Sequence, residues 1–133
     1  MKDCKGCYGA TFVDCGRCYE MSMKADDYQV LASRTINKAI IGSIGCEYHA
    51  IHGLAGEVGE IHSLYQKVYQ GHEMDDEHLK KEVGDLLWFI AELCTCRGWK
   101  LSDVMQMNID KLKARYPEGF SVDKSLHRQE GDI

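Results

Sequence analysis

The sequence predicts an all-α protein with a four-helix core. Apolar residues recur at helical spacing in four stretches between residues 26 and 116. The motif Leu-x-x-Glu-Val-Gly-acid-apolar occurs twice, at residues 54–61 and 79–86, and its glutamates lie 25 residues apart (82 − 57). The only proline, Pro117, follows the last apolar stretch, where it would stop a helix.

Length and charge bound the function. A chain of 133 residues forms one domain with room for a small appendage. The net charge of −5 argues against a protein that binds duplex nucleic acid, which normally has a basic surface. No apolar run approaches the roughly 18 residues of a membrane span, and the first residues lack the apolar core of a signal peptide. We therefore expect a cytoplasmic protein with no membrane partner.

The N-terminal segment carries two Cys-x-x-Cys pairs. Four thiolates suit a tetrahedral structural zinc, and glycines in and beside the pairs permit the tight turns that such a site needs. The alternatives are a reduced, metal-free tail or a redox role, although no βαβ pattern surrounds the pairs. The predicted zinc ligands are Cys4, Cys7, Cys15 and Cys18.

The remaining three cysteines are expected to be buried thiols rather than nucleophiles; they are Cys46, Cys94 and Cys96. The predicted organisation is a zinc-knuckle-like segment at 1–22, a helical domain at 23–122 and a C-terminal tail at 123–133.

The first two helices are predicted from apolar spacing and end signals. The first runs from Asp26 to about Ala39, before a stretch with two glycines. The second runs from about Glu47 to Tyr69, and Gly71 follows it.

The last two helices have clearer end signals. The third covers about Glu77 to Arg97, with Asp75 or Asp76 as its N-cap and a glycine after its end. The fourth opens with Ser102 as N-cap and runs to about Tyr116. From Glu118 onward we expect an irregular tail.

Four carboxylates mark the candidate site. With about 100° per residue, Glu57 lies inside the apolar arc of its helix and Glu60 on its edge, and Glu82 and Asp85 repeat this placement on the next helix. A carboxylate on a buried face is costly unless it is paired or bound to a metal. The two copies therefore predict two halves of one divalent-cation site. Gly59 and Gly84, between the acids, are expected to allow close helix approach.

Other polar residues leave alternatives open. Asn108 lies in the apolar stripe of the fourth helix, flanked by Lys111 and Arg115, and is either a core or interface hydrogen-bonding residue or a ligand contact. His49 and His52 are interpreted as capping, packing or base-contact residues. Trp88 is a candidate for a dimer surface, because it points away from the acids.

The chain resembles the MazG-like nucleoside triphosphate pyrophosphohydrolases of the all-α NTP pyrophosphatase superfamily. The resemblance covers about residues 25–122 and rests on Glu57-x-x-Glu60, Glu82-x-x-Asp85, Asn108-x-x-Lys111 and the ending Lys-Ala-Arg-Tyr-Pro-Glu-Gly-Phe at residues 113–120. It implies a four-helix core that forms dimers or tetramers, with each pocket completed by two subunits. It also implies Mg²⁺ or Mn²⁺ on the four acids. The paired Cys-x-x-Cys motifs are a departure from the family core.

The resemblance implies hydrolysis of (d)NTPs to the monophosphate and pyrophosphate. Asn108 and Lys111 match positions that contact the nucleotide, and Arg115 and Lys67 match basic positions less securely. Glu57 or Glu60 would orient or deprotonate the attacking water. The alternatives are a phosphoribosyl-ATP pyrophosphohydrolase, a non-catalytic nucleotide-sensing regulatory protein, and a zinc-ribbon nucleic-acid binder, which the net charge opposes.

Overall fold

A computed structural model describes residues 23–127, and this part of the chain is all-α, as predicted. Four main helices form the core and a short fifth helix follows. The helices are α1 (Ala25–Ser33), α2 (Ile44–Tyr69), α3 (Asp76–Arg97), α4 (Leu101–Arg115) and α5 (Val122–Leu126). The proposed zinc ligands and the whole of the expected N-terminal segment, 1–22, lie outside the described residues. No helix of the described part is long and apolar enough to cross a membrane.

Helices α2 and α3 form an antiparallel pair, which is the most extensive helix contact in the described chain. The register of the two helices stays constant along their contact, as shown by facing residues whose numbers add to 142. The three facing pairs are Cys46 with Cys96, Gly53 with Phe89, and Glu57 with Asp85. Local signals fix the turn between the helices, where the Asp75 carboxylate accepts a hydrogen bond from the His78 amide at 2.9 Å, as predicted for this cap.

Helix α1 packs on α3 but is shorter than predicted, since it ends at Ser33 instead of about Ala39. The Ser33 and Thr35 hydroxyls donate to the backbone carbonyls of Val30 and Ala32, at 2.8 and 2.9 Å. Such side-chain hydrogen bonds compete with helix continuation. A series of turns then covers residues 34–43.

The turn between α3 and α4 is held by polar side chains of α1. Gln29 accepts a hydrogen bond from the Leu101 amide at 2.7 Å and donates to the Trp99 carbonyl at 2.9 Å. Asp26 accepts from the Ser102 amide at 3.0 Å and from its hydroxyl at 2.9 Å. The prediction that Ser102 caps α4 is therefore wrong, because Asp26 of α1 performs this role.

The cysteines of the helical core are buried, as predicted, but only Cys94 is a free thiol. Cys46 and Cys96 form a disulfide that links the start of α2 to the end of α3. The expectation of three thiols is wrong because the antiparallel register brings these two residues to a Cα–Cα distance of 5.8 Å, within the usual range of a disulfide.

Close approach of α2 and α3 depends on Gly53, and this corrects the expectation for Gly59 and Gly84. A Cβ atom at Gly53 would overlap the Phe89 ring, whereas one at Gly59 or Gly84 would meet no heavy atom within 4 Å. The two motif glycines thus create no close approach within the described chain.

Two smaller expectations also change. Trp88 lies on the side of α3 away from Glu82, but it faces the turn that follows α1 in the same chain, where its indole N–H donates to the Thr35 hydroxyl at 2.8 Å. The tail is not entirely irregular, because Ser121 caps the five-residue helix α5 by accepting from the Lys124 amide.

Candidate metal centre

Three of the four predicted acids form one cluster between α2 and α3. Glu57, Glu82 and Asp85 each offer a carboxylate oxygen, and these oxygens lie within 4.8 Å of one another. Glu82 is buried at 7% exposure, Glu57 is half-buried and Asp85 is exposed. The cluster is therefore buried at Glu82 and open to solvent at Asp85.

The pKa of Glu57 reflects the repulsion between the clustered carboxylates. Burial raises the pKa of the Glu57 carboxyl, and a hydrogen bond to Glu82 and the charges of Asp85, Glu60 and Glu82 raise this pKa further. Like charges this close together disfavour ionisation of all the acids at once. A divalent cation would offset that repulsion, and carboxylate oxygens are the ligands that Mg²⁺ and Mn²⁺ prefer. The residues present therefore fit such an ion.

Glu60 lies outside the group of three. It is exposed on the next turn of α2 after Glu57, and its charge reaches Glu57. The imidazole Nε2 of His78 contacts the Glu82 carboxylate at 2.7 Å, one helical turn along α3. Sequence reasoning missed His78, although its position four residues before Glu82 is the spacing of contacting side chains on a helix.

The predicted substrate-binding residues lie at the edges of the fold. Asn108 and Lys111 are exposed on α4, and Arg115 is half-buried with its guanidinium 6.0 Å from the centre of the Tyr116 ring. Lys67 is exposed in the last turn of α2. The exposed Asn108, Lys111 and Lys67 side chains are accessible to a ligand, and none of the four residues belongs to the cluster of acids.

A second buried acid was missed by sequence reasoning. Glu92 of α3 is 1% exposed, and both its oxygens contact Nδ1 of His49 on α2, at 3.0 and 2.9 Å. The available signal was an acid inside the otherwise apolar run at residues 86–94. The helical wheel would not have identified it, because Glu92 lies about 80° from Glu82 and outside the apolar arc of α3.

Comparison with known proteins places this site in a family context. The chain matches the model of the MazG nucleotide pyrophosphohydrolase domain over residues 48–120. It is 32% identical over 106 residues to the gene 37 protein of Mycobacterium phage L5, and this alignment covers 73% of the chain and 92% of the relative. No solved structure gives a significant match. The matched segment contains the three clustered acids, Glu60 and the polar residues of α4.

Proposed function

Since the chain belongs to the MazG nucleotide pyrophosphohydrolase family, we propose that it hydrolyses nucleoside or deoxynucleoside triphosphates to the monophosphate and pyrophosphate. The single observation that supports this most directly is the cluster of Glu57, Glu82 and Asp85, whose oxygens converge within 4.8 Å at a solvent-open edge. The bond that breaks is the phosphoanhydride between the α- and β-phosphates, and water supplies the new oxygen.

Glu57, Glu82 and Asp85 would hold Mg²⁺ or Mn²⁺, with Glu60 as a further ligand from the exposed edge of α2. When bound, the ion would neutralise charge on the substrate phosphates and on the leaving pyrophosphate. Buried Glu82, held by His78, supplies a fixed carboxylate, whereas exposed Asp85 leaves the open side accessible to phosphate oxygens.

The general base is assigned to Glu57 or Glu60. A carboxylate whose pKa lies above its ordinary value is a better proton acceptor near neutral pH than a fully exposed one. Before a cation binds, Glu57 has this property, because burial and its acidic neighbours raise the pKa of its carboxyl group. A bound cation would oppose this rise, so the assignment of the base to Glu57 requires that its reacting oxygen is not the one that holds the ion. The base would take a proton from the attacking water and release it to solvent after the monophosphate leaves.

The cluster contains only acids, so we assign the binding of the substrate phosphates to basic and amide side chains elsewhere in the chain. Asn108, Lys111 and Arg115 fall within about 60° of one another on α4, with about 100° per residue. Lys111 and Arg115 would pair with phosphate oxygens and Asn108 would donate a hydrogen bond. Lys67, at the end of α2, is a further candidate for a phosphate contact.

A second copy of the chain is the proposed partner of the α2–α3 pair. Eight exposed large apolar side chains of α2 and α3 lie about 80–140° around their helices from Glu57 or Glu82, on the side opposite Glu60 and Asp85. Two of them, Ile44 and Tyr69, are the terminal residues of α2. We call the other six the outer apolar face: Ile51, Val58, Tyr65, Val83, Leu87 and Ile90, with exposed fractions between 36% and 54%. Several large apolar side chains exposed on one side of a helix pair are more typical of an interface than of solvent-facing helices.

The proposed reaction is tested by adding each (d)NTP with Mg²⁺ and measuring pyrophosphate release. Glu82→Gln removes a carboxylate from the cluster with almost no change in shape, and we expect it to lower kcat at least about 100-fold, as loss of a key charge at a reacting centre does. The matched control is Glu73→Gln in the exposed α2–α3 loop, which should keep the wild-type rate.

Two outcomes would contradict the proposal. One is the absence of pyrophosphate release from all common and damaged (d)NTPs. The other is nucleotide binding without turnover and with the same affinity in Glu82→Gln, which would indicate a nucleotide sensor. Release of pyrophosphate from phosphoribosyl-ATP alone would instead identify the sibling activity.

A further inference from the structure

The pair formed by His49 and Glu92 has no part in the proposed reaction, although it contains one of the two buried acids of the described chain. Glu92 of α3 is fully buried, and its described polar contact is with Nδ1 of His49 on α2. An ionised Glu92 can only accept hydrogen bonds, and for a neutral His49 ring this contact requires the tautomer with the proton on Nδ1. The other ring nitrogen, Nε2, has no hydrogen-bond partner among residues 23–127, and the His49 side chain is 56% exposed.

The orientation of the His49 ring is also fixed by its neighbours. The Trp88 ring stands edge-on to the imidazole at 6.3 Å, and the Phe89 ring lies 5.7 Å away. Phe89 can occupy this position only because Gly53 has no side chain. The contacts with Glu92, Trp88 and Phe89 thus fix the orientation of the His49 ring, and the exposed part of the ring stays accessible to a ligand.

His49 and Glu92 lie on the same edge of the α2–α3 pair as Glu60 and Asp85. With about 100° per residue, His49 is about 80° from Glu57, and Glu92 is about 80° from Glu82. Glu60 and Asp85 are each displaced by about 60° in the same rotational sense. The outer apolar face lies on the opposite side, so the proposed partner copy would not cover His49.

The distance to the cluster of acids excludes a direct part in phosphate chemistry. His49 precedes Glu57 by two helical turns, and Glu92 follows Asp85 by two turns, which corresponds to roughly 10–12 Å along each helix at 1.5 Å per residue. An extended nucleotide with its phosphates at the acids reaches that far with its nucleobase. Tyr28 of α1 lies near Asp85, since burial and then the charge of Asp85 raise the pKa of its hydroxyl group.

We propose that His49, positioned by Glu92, contacts the nucleobase of the bound nucleotide and contributes to base selection. This inference rests on the proposed function, because it takes the phosphate position from the cluster of acids. With Nδ1 committed to Glu92, Nε2 can accept a hydrogen bond from a base amino or imide group, or donate one when the ring is protonated. The half-buried Trp88 and Phe89 rings add apolar surface of the kind that planar bases bind. Glu92 is a positioning residue, since it acts through His49.

The test is a binding titration of the full chain with Mg²⁺, using the four ribonucleoside monophosphates and inorganic triphosphate as separate ligands. His49→Asn keeps an amide donor near the position of Nδ1, for Glu92, and removes Nε2. We expect the Kd of the best-bound monophosphate to rise about 10-fold, the effect of one lost hydrogen bond. The Kd of inorganic triphosphate should not change. The matched control is His72→Ala in the exposed α2–α3 turn, which should leave both unchanged.

A purely structural role predicts a different result. In that case His49→Asn and Glu92→Gln would change the thermal midpoint but leave the ratios between the Kd values of the four monophosphates unchanged. This result would overturn the proposal. Turnover provides a second measurement, where His49→Asn should raise KM about 10-fold and keep kcat.

Failure of the proposed function is distinguishable. If the wild type binds monophosphates but releases no pyrophosphate, loss of base discrimination in His49→Asn still supports the inference. If the wild type binds no nucleotide, both ideas are wrong.

Discussion

At the scale of single residues, neighbouring groups determine the pKa values of two carboxyl groups, Glu57 and Asp26. Burial and three other acids raise the pKa of Glu57, whereas hydrogen bonds from Ser102, in the first turn of α4, lower the pKa of Asp26. Their opposite shifts predict opposite responses of stability to pH.

In the metal-free protein, the contribution of Glu57 to stability should be largest in acid. Since the pKa of Glu57 in the folded protein lies above its ordinary value of 4.5, the folded state binds more protons than the unfolded state. The Glu57 contribution to the free energy of unfolding therefore falls as pH rises from about 4.5 through the raised pKa. Mg²⁺ competes with that proton, so the rise in Tm on adding Mg²⁺ should increase with pH over this window. Thermal melts from pH 4 to 8 measure it, and an equal rise at every pH would contradict the prediction.

Asp26 should show the reverse behaviour. Hydrogen bonds from the Ser102 amide and hydroxyl lower the pKa of Asp26 below its ordinary value of 3.8. Its stabilising contribution is therefore complete above about pH 3.8 and is lost as pH falls through the lowered pKa. We expect Asp26→Ala to lower Tm at neutral pH, with the difference from wild type shrinking in acid. Asp27→Ala, exposed on the same helix, is the control and should have little effect.

At the scale of elements, the contact between α2 and α3 sets the geometry of the site. One register, marked by facing pairs whose numbers add to 142, brings together the acids, the disulfide and the His49–Glu92 pair. A shift of this register would separate all three groups. The glycine that permits the contact lies one turn before the first acid.

Substitution of two neighbouring glycines tests this contact. Gly53→Ala places a methyl group in the Phe89 ring and should destabilise the fold by about 1–3 kcal/mol, the usual cost of overpacking. Gly56→Ala meets no atom within 4 Å and should stabilise α2 by about 0.5–1 kcal/mol, since alanine favours helix. Denaturant unfolding at one fixed protein concentration measures both. Equal effects of the two substitutions would show that α2 and α3 do not approach closely at Gly53.

At the scale of the whole molecule, the described part of a single chain buries little apolar volume. Only three large aliphatic side chains of residues 23–127 are buried, namely Ile36, Leu64 and Leu101. The outer apolar face, in contrast, is solvent-exposed in one chain. Small domains are marginally stable when so much of their apolar surface stays in water. Association of two copies through this face would supply the missing burial.

This association predicts a dimer or tetramer in solution. Light scattering at micromolar concentration should give at least twice the mass of one chain, which is 15.1 kDa. Leu87→Glu places a charge in the outer apolar face and should shift the mass to that of a monomer, since an unpaired buried charge opposes association. Val30→Glu, on an exposed position of α1, is the control and should not change the mass. A monomeric wild type would refute the prediction.

The sequence by itself determined the helices, the repeated acids and the family. Helical spacing, caps and breakers act within a few residues, so α2, α3 and α4 were predicted to within three residues at their ends. The repeat, which places like residues at like phase on two helices, predicted one group of four acids. Three of them, Glu57, Glu82 and Asp85, form the cluster, and Glu60 lies outside it. The first helix was predicted too long, because side chains at its end bind their own backbone.

Tertiary structure decided which distant residues meet. His49 and Glu92 are 43 residues apart, Cys46 and Cys96 are 50 apart, and Asp26 and Ser102 are 76 apart. No local pattern encodes these pairs, because each depends on the register of two helices against each other. The physical reason is that helix formation is governed by nearby residues, whereas the partner of a buried carboxylate is set by packing across the fold.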